Sequence, residues 1–310
     1  MRNTPLASIL YHHIGAETIS ERGLGVTTPW AAFQAHLDAL EQRFTFVSLE
    51  QVISGDLPRN ALLLTFDDAY RSVLEAARQL LAPRGIPAVF FVNPGLLGSD
   101  GPGIDAQLAF AVNSAGIEAV CKAIEQQPAR DVHDLIMNRM NGLSADAREG
   151  VRQRLRAQFG TPDVTRQAGQ LNEEDLAEFA GLGVEIGNHT LRHAVCGALK
   201  PNELHAEIIV SQAKLAALTG TRIRSFAVPY GAEACVTPEV LHCLRDTGHE
   251  AIFLVHARSN RLRPAPDIWY RQSIENGSVE DIPGPSAVLP VLRSVKARML
   301  GGRAAAARPR

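Results

Sequence analysis

Two short segments, far apart in the chain, hold the residue types of a hydrolytic metal site. One is Leu64-Thr65-Phe66-Asp67-Asp68-Ala69-Tyr70, and the other is Glu185-Ile186-Gly187-Asn188-His189-Thr190-Leu191-Arg192-His193. Adjacent carboxylates repel unless a proton or a cation holds them together. A cation resolves the conflict by binding one, and the other keeps its basicity for proton transfer. One Asp and two His give three protein donors for a divalent ion, with the other Asp left beside it to act on water. Three donors with an open position is a catalytic arrangement, whereas a structural zinc is closed by four. The plainer reading of Asp68 is an acidic cap on the helix that follows. His189 and His193 are one helical turn apart, so their rings can converge. A lone pair at that spacing is often solvent-facing and inert, but this one follows the strand-like Val184-Glu185-Ile186-Gly187. Gly187 permits a sharp exit from that strand, and the Thr190 hydroxyl can buttress a ligand. Cys196 lies near enough to offer sulfur, although Asp and His already complete the set.

The elements that must position these residues alternate between apolar runs and helical patterns, which suggests a parallel α/β sheet or barrel. Strands are expected at Leu6–Leu10, Ala61–Thr65 running on to Asp67, Ala88–Val92, Gly183–Gly187, Ser225–Val228 and Ala251–Val255. Helices are expected at Trp30–Gln42, at Arg71–Leu81 with Pro83 and Gly85 as the stop, at about Pro201–Thr219 ending at Gly220, and at Pro238–Thr247 before Gly248. Residues 98–181 break the rhythm with helical patterns at Ile117–Gln126, Val132–Met140, Ala145–Phe159 and Glu173–Ala180. They read as a helical insertion between two barrel strands, either one wall of a cleft or a surface elaboration. The domain thus runs over 5–282, with a basic tail at 283–310. In the tail Val288, Leu292, Val295 and Met299 share a helical face, so a 288–300 helix either packs on the body or touches an anionic membrane surface. The last residues, Gly301 to Arg310, read as disordered.

At 310 residues with 45% hydrophobic and 21% charged composition, the chain can bury a sizeable core. A formal net charge of −2 gives no global reason to expect nucleic acid as a partner. No apolar run approaches the ~20 residues of a membrane span, and the N-terminal apolar run is too short for a secretory signal. A cytoplasmic location is therefore expected. Cys121, Cys196, Cys235 and Cys243 form no C-x-x-C pair and read as separate thiols.

Thr65-Phe66-Asp67-Asp68, then His189-Thr190-Leu191-Arg192-His193, then Phe226-Ala227-Val228-Pro229-Tyr230-Gly231 resemble, in order, the three motifs of the polysaccharide deacetylase family. That family is also called the nodulation-protein-B homology domain or carbohydrate esterase family four. The resemblance spans roughly Leu6 to Ile274. It implies an α/β fold, a distorted (β/α) barrel, and metal-dependent removal of N-acetyl groups from an amino-sugar glycan. By that resemblance Asp67 is the general base, and Asp68, His189 and His193 bind the metal, usually zinc, with cobalt or nickel as alternatives. The Tyr230 backbone N–H would hold the oxyanion while its ring lines the groove.

Two departures bear on the site. Ala227 stands where the family carries an arginine that orients the base, and Arg271 or Arg224 is expected to replace it. Arg271 is preferred because Trp269-Tyr270-Arg271 resembles the family's last strand; the plainer reading pairs it with a surface acid. The family's general acid is a histidine in an L-x-H segment near the C-terminus, yet no histidine follows His256. Leu10-Tyr11-His12 has the same pattern and resembles the permuted branch that includes poly-N-acetylglucosamine deacetylases. His12 is therefore favoured over His256, with His13 pointing the other way along the strand. Two other functions stay open. One is a glycan-binding barrel that has lost turnover. The other is a deacylase of a cytoplasmic or lipid-linked sugar intermediate in exopolysaccharide or lipo-oligosaccharide assembly.

Overall fold

Seven strands close into a parallel ring in the computed structural model, which describes residues 6–98, 103–162, 169–256, 260, 263–275, 277 and 279–282. In chain order the strands are β1 (Leu6–Tyr11), β2 (His13–Ile14), β3 (Thr27–Thr28), β4 (Thr45–Phe46), β5 (Ala61–Asp67), β6 (Ala88–Val92), β7 (Val184–Asn188), β8 (Ser225–Ala227), β9 (Ala251–Val255) and β10 (Ile268–Ser273). The ring runs β1-β10-β9-β8-β7-β6-β5 and closes by β1 pairing with β5. First and last strands are thus neighbours, with Ile9 opposite Gln272 and Leu10 opposite Ser273. β4 extends the sheet beside the start of β5, and β2 pairs with β3 outside the ring.

The ring strands are apolar along nearly their whole length, as strands covered on both faces must be. Leu63, Val89, Phe91, Ala227, Phe253 and Trp269 form one cluster inside the barrel. Alternation along β5 and β10 puts Asp67 on the same face as Leu63, and Arg271 on the same face as Trp269. A second cluster, including Leu62, Leu64, Phe66 and Phe90, packs the outer faces against helices such as Trp30–Glu41 and Arg71–Ala76.

Some local expectations are corrected. Pro83 does not stop its helix. The segment from Arg71 continues through a π-helical stretch, Ala77–Leu81, to Arg84, and ends where Gly85 takes a left-handed φ of 65°. Gly187 does not turn the chain out of β7. A Cβ there would lie 2.4 Å from the Phe91 ring and 2.7 Å from Ser225 Oγ, so glycine is required for packing inside the barrel. Pro201 to Thr219 is continuously helical and ends at Gly220, as its pattern predicts.

Between β6 and β7 lie helices Ile104–Ala115, Ile117–Ala123, Val132–Met140 (its second turn π-helical) and Ala145–Phe159, then a 3₁₀ segment, Glu174–Leu182. The first four share a core of their own, built on Leu108, Val120, Leu135, Met140, Val151 and Leu155, with Tyr230 of the barrel packed against it. Among the described residues no helix is long and apolar enough to cross a membrane. The tail, with its 288–300 pattern, lies outside the described residues.

Candidate active site

Asp67 ends β5, and the chain turns at once, because Asp68 takes a φ of 73°. Asn188 likewise ends β7 ahead of His189. Four of the five non-glycine residues with positive φ among those described are Asp68, Thr190, His193 and Tyr230. Such backbone costs of order 1–3 kcal/mol per residue and persists only where the surroundings hold it. Here the surroundings are polar. The Asn93 carboxamide donates to the carbonyls of His189 and Thr190. Glu207, buried, accepts from the Arg192 backbone and side chain at 2.9 Å each. The Thr190 hydroxyl accepts from Ala194 N at 3.0 Å and so braces the loop that carries both histidines. This loop corrects the helical-turn expectation: the two histidines converge through two left-handed residues rather than along a helix.

The convergence itself stands. Asp68, His189 and His193 each offer a ligand atom, all within 4.8 Å of one another. His189 Nε2 lies 3.7 Å, and His193 Nε2 3.6 Å, from Asp68 Oδ1. Both rings use their other nitrogen elsewhere: His189 Nδ1 lies 2.7 Å from the Ala227 carbonyl, and His193 Nδ1 lies 3.1 Å from Asp105 Oδ2. Each Nε2 lone pair can therefore face the same point. The donor set fits a divalent cation such as zinc. Burial lowers the His189 pKa to about 4, which keeps the ring neutral as a ligand must be. Asp68 caps nothing, since Tyr70 occupies the N-cap position of the next helix. Cys196 is buried in an apolar cluster with Cys235 and takes no part. All four cysteines are free.

Asp67 sits beside this trio, with Oδ2 3.8 Å from His189 Nε2. Arg271, fully buried, donates to both its oxygens, Nη1 to Oδ1 at 2.6 Å and Nη2 to Oδ2 at 2.7 Å. Arg271 thus pairs with buried Asp67 rather than with a surface acid. Arg224 is turned away, toward Glu50 and Glu185. Burial would raise the Asp67 pKa, but Arg271, with His189 and His12, brings it down to about 2. Asp67 is thus ionised at neutral pH, and each oxygen keeps a second lone pair for water.

His12 follows β1 and lines the same cleft, whereas His256 is not among the cleft's lining residues. Its Nδ1 lies 2.7 Å from Glu275 Oε1, which also accepts from the His12 backbone N–H. Burial opposes a charge on His12, yet Glu275, followed by Asp68 and Asp67, raises its pKa to about 9. His13 faces away, toward Ser72 Oγ at 2.9 Å. Tyr230 lines the cleft, and its hydroxyl donates to Asp105 Oδ2 at 2.7 Å. The cleft holds about 360 Å³, and Ile104, Asp105, His133 and Met137 of the inserted helices form one side of it.

Glu275, Asp105 and Arg148 were not anticipated. Glu275 lies four residues beyond Arg271, so a carboxylate search after the last strand could have found it. Asp105 follows a Gly-Pro-Gly segment with no pattern to single it out.

In this closed parallel (β/α) barrel the carboxylates, the clamped arginine and the histidines gather toward the C-terminal ends of the strands, the face where such barrels carry their active sites. The polysaccharide deacetylase profile matches residues 54–252. The chain belongs to that family, whose enzymes hydrolyse amide bonds. Solved structures with the same fold include a Streptococcus pyogenes deacetylase, PplD, in complex with acetate. It is 15% identical at a TM-score of 0.60, over 89% of this chain and 96% of that one. IcaB from Ammonifex degensii is 21% identical at 0.56, over 87% and 92%. The BpsB deacetylase domain from Bordetella bronchiseptica is 15% identical at 0.55, over 88% and 96%. No curated protein matches.

Proposed function

We propose that this chain removes N-acetyl groups from an amino-sugar glycan, with a divalent cation, zinc in the first instance, held by Asp68, His189 and His193. The observation that supports it most is the convergence of those three donors beside an ionised Asp67. When bound, the cation supplies Lewis-acid polarisation of a carbonyl and acidifies water. Asp67 takes the proton from the attacking water. Arg271 fixes the carboxylate's plane, so that its free lone pairs point into the cleft. The Tyr230 N–H stabilises the tetrahedral oxyanion, a contribution of about 3–4 kcal/mol for a well-placed donor. Protonated His12 then hands a proton to the leaving amine, which could not depart as an anion at neutral pH. A barrel that binds glycan without turnover had its motive in Ala227, and the Arg271–Asp67 clamp removes that motive.

Acetate release from N-acetylglucosamine oligomers tests the proposal. The expected outcome is release that a chelator abolishes and added zinc restores. Asp67→Asn should lower kcat by roughly 10²–10⁴-fold while zinc binding is retained. Chelator-insensitive release, or an Asp67→Asn variant as fast as the parent, sinks it.

A further inference from the structure

We infer that Asp105, carried by the inserted helix Ile104–Ala115, is a positioning residue that fixes the His193 tautomer, which makes the insertion part of the metal site. This rests on the proposed reading of Asp68, His189 and His193 as ligands. A neutral imidazole carries its proton on either nitrogen, and only the Nδ1–H form leaves Nε2 free to bind a cation. The two histidines solve this differently. His189 is buried and uses a carbonyl of the barrel itself, Ala227 O. His193 stands further out, on a left-handed loop residue, and its Nδ1 finds its acceptor on a different element altogether. Asp105 lies on the far side of the ring from Asp68, so it orients the ligand rather than joining the set.

Asp105 is itself held from two directions. The Tyr230 hydroxyl donates to Oδ2, and Arg148 Nη2 donates to Oδ1 at 3.3 Å. Arg148, only 4% exposed, also donates to the Tyr230 oxygen. One carboxylate thus joins helix Ile104–Ala115, helix Ala145–Phe159, the loop after β8 and the loop after β7. A carboxylate on the back nitrogen of a ligating histidine both sets the ring's angle and increases its basicity, and its loss typically costs 10–100-fold in metal affinity.

The test compares full-length parent, Asp105→Asn and Asp105→Ala proteins. Zinc dissociation constants come from competition with a chelator, and tautomers from long-range ¹H–¹⁵N spectra of the zinc-free proteins at alkaline pH. Asp105→Ala should weaken zinc binding roughly 10–100-fold, with Asp105→Asn in between because it keeps the shape and one acceptor. The His193 nitrogen shifts should move toward a tautomer mixture while those of His189, whose acceptor is Ala227 O, stay put. The inference is overturned if both variants bind zinc like the parent, or if His189 moves as much as His193. Failure of the parent itself to bind zinc overturns the metal reading together with the inference. Zinc binding that neither variant weakens overturns the inference alone.

Discussion

His12 and Glu275 meet across 263 residues of chain at 2.7 Å, and in the proposed reaction that contact governs whether a proton is available to the leaving group. A general acid must be protonated, and the protonated form is abundant below its pKa. With the His12 pKa at about 9, activity should hold through neutral pH and fall as pH rises through that region. A cation at the neighbouring site pulls the value down in any variant, so the informative quantity is a difference. Glu275→Gln removes the main charge that raises the pKa. The alkaline limb of kcat/KM should then move to lower pH, each pH unit of displacement costing about tenfold in rate on that side. Profiles of the two proteins that superimpose would remove His12 from the acid role. The acidic pair and the two histidines were legible because their spacing is local: Asp67 abuts Asp68, and His193 comes four positions after His189. Glu275 and Asp105 were not, since their partners lie 263 and 88 residues away and no local pattern encodes such a pairing.

Strands and long helices were legible from apolar runs and caps, but the reason for Gly187 was not. Sequence shows that glycine precedes a turn; only packing shows that the Phe91 ring occupies the place of its side chain. Helix Ile104–Ala115 escaped notice for a related reason. Its buried residues, Ile104, Ala106, Gln107, Leu108, Ala109 and Ala111, do not trace one clean apolar stripe. Short pairings such as β2 with β3 carry no signal of their own, because two residues cannot display an alternation. Gly187→Ala provides the test at this scale. The added methyl must displace Phe91, whose ring lies 5.1 Å from the Arg271 guanidinium. Overpacking of this kind costs about 1–3 kcal/mol. A lower urea midpoint with reduced acetate release is expected, since the strain is passed to the residue that aligns Asp67. An unchanged midpoint would mean that β7 and β6 can part without cost.

Taken as a molecule, the barrel is clasped from inside at the seam where its first and last strands meet. β1 lies between β5 and β10, and Arg271 reaches past it to Asp67. Arg271 also donates to the Thr65 hydroxyl at 3.2 Å, and that hydroxyl donates to Ile9 O of β1 at 2.7 Å, so all three strands are tied to one guanidinium. Removing one member of a buried pair leaves an uncompensated charge and typically costs 3–5 kcal/mol. Arg271→Met should therefore be strongly destabilising at neutral pH. The sign of its pH dependence is the sharper test. In the parent, Asp67 has a folded pKa of about 2, below its usual 3.8, so it contributes stability above the unfolded value that is lost as pH falls toward 2. Without Arg271 burial dominates, the folded pKa rises above the unfolded one, and ionised Asp67 becomes a penalty at pH 7 that protonation relieves. Urea unfolding of the metal-free proteins at pH 7 and pH 4 should show the gap between parent and Arg271→Met narrowing at the lower pH. A gap that is equal or wider at pH 4 would mean that other groups, such as His189, carry the compensation, and that the seam is held by strand pairing alone.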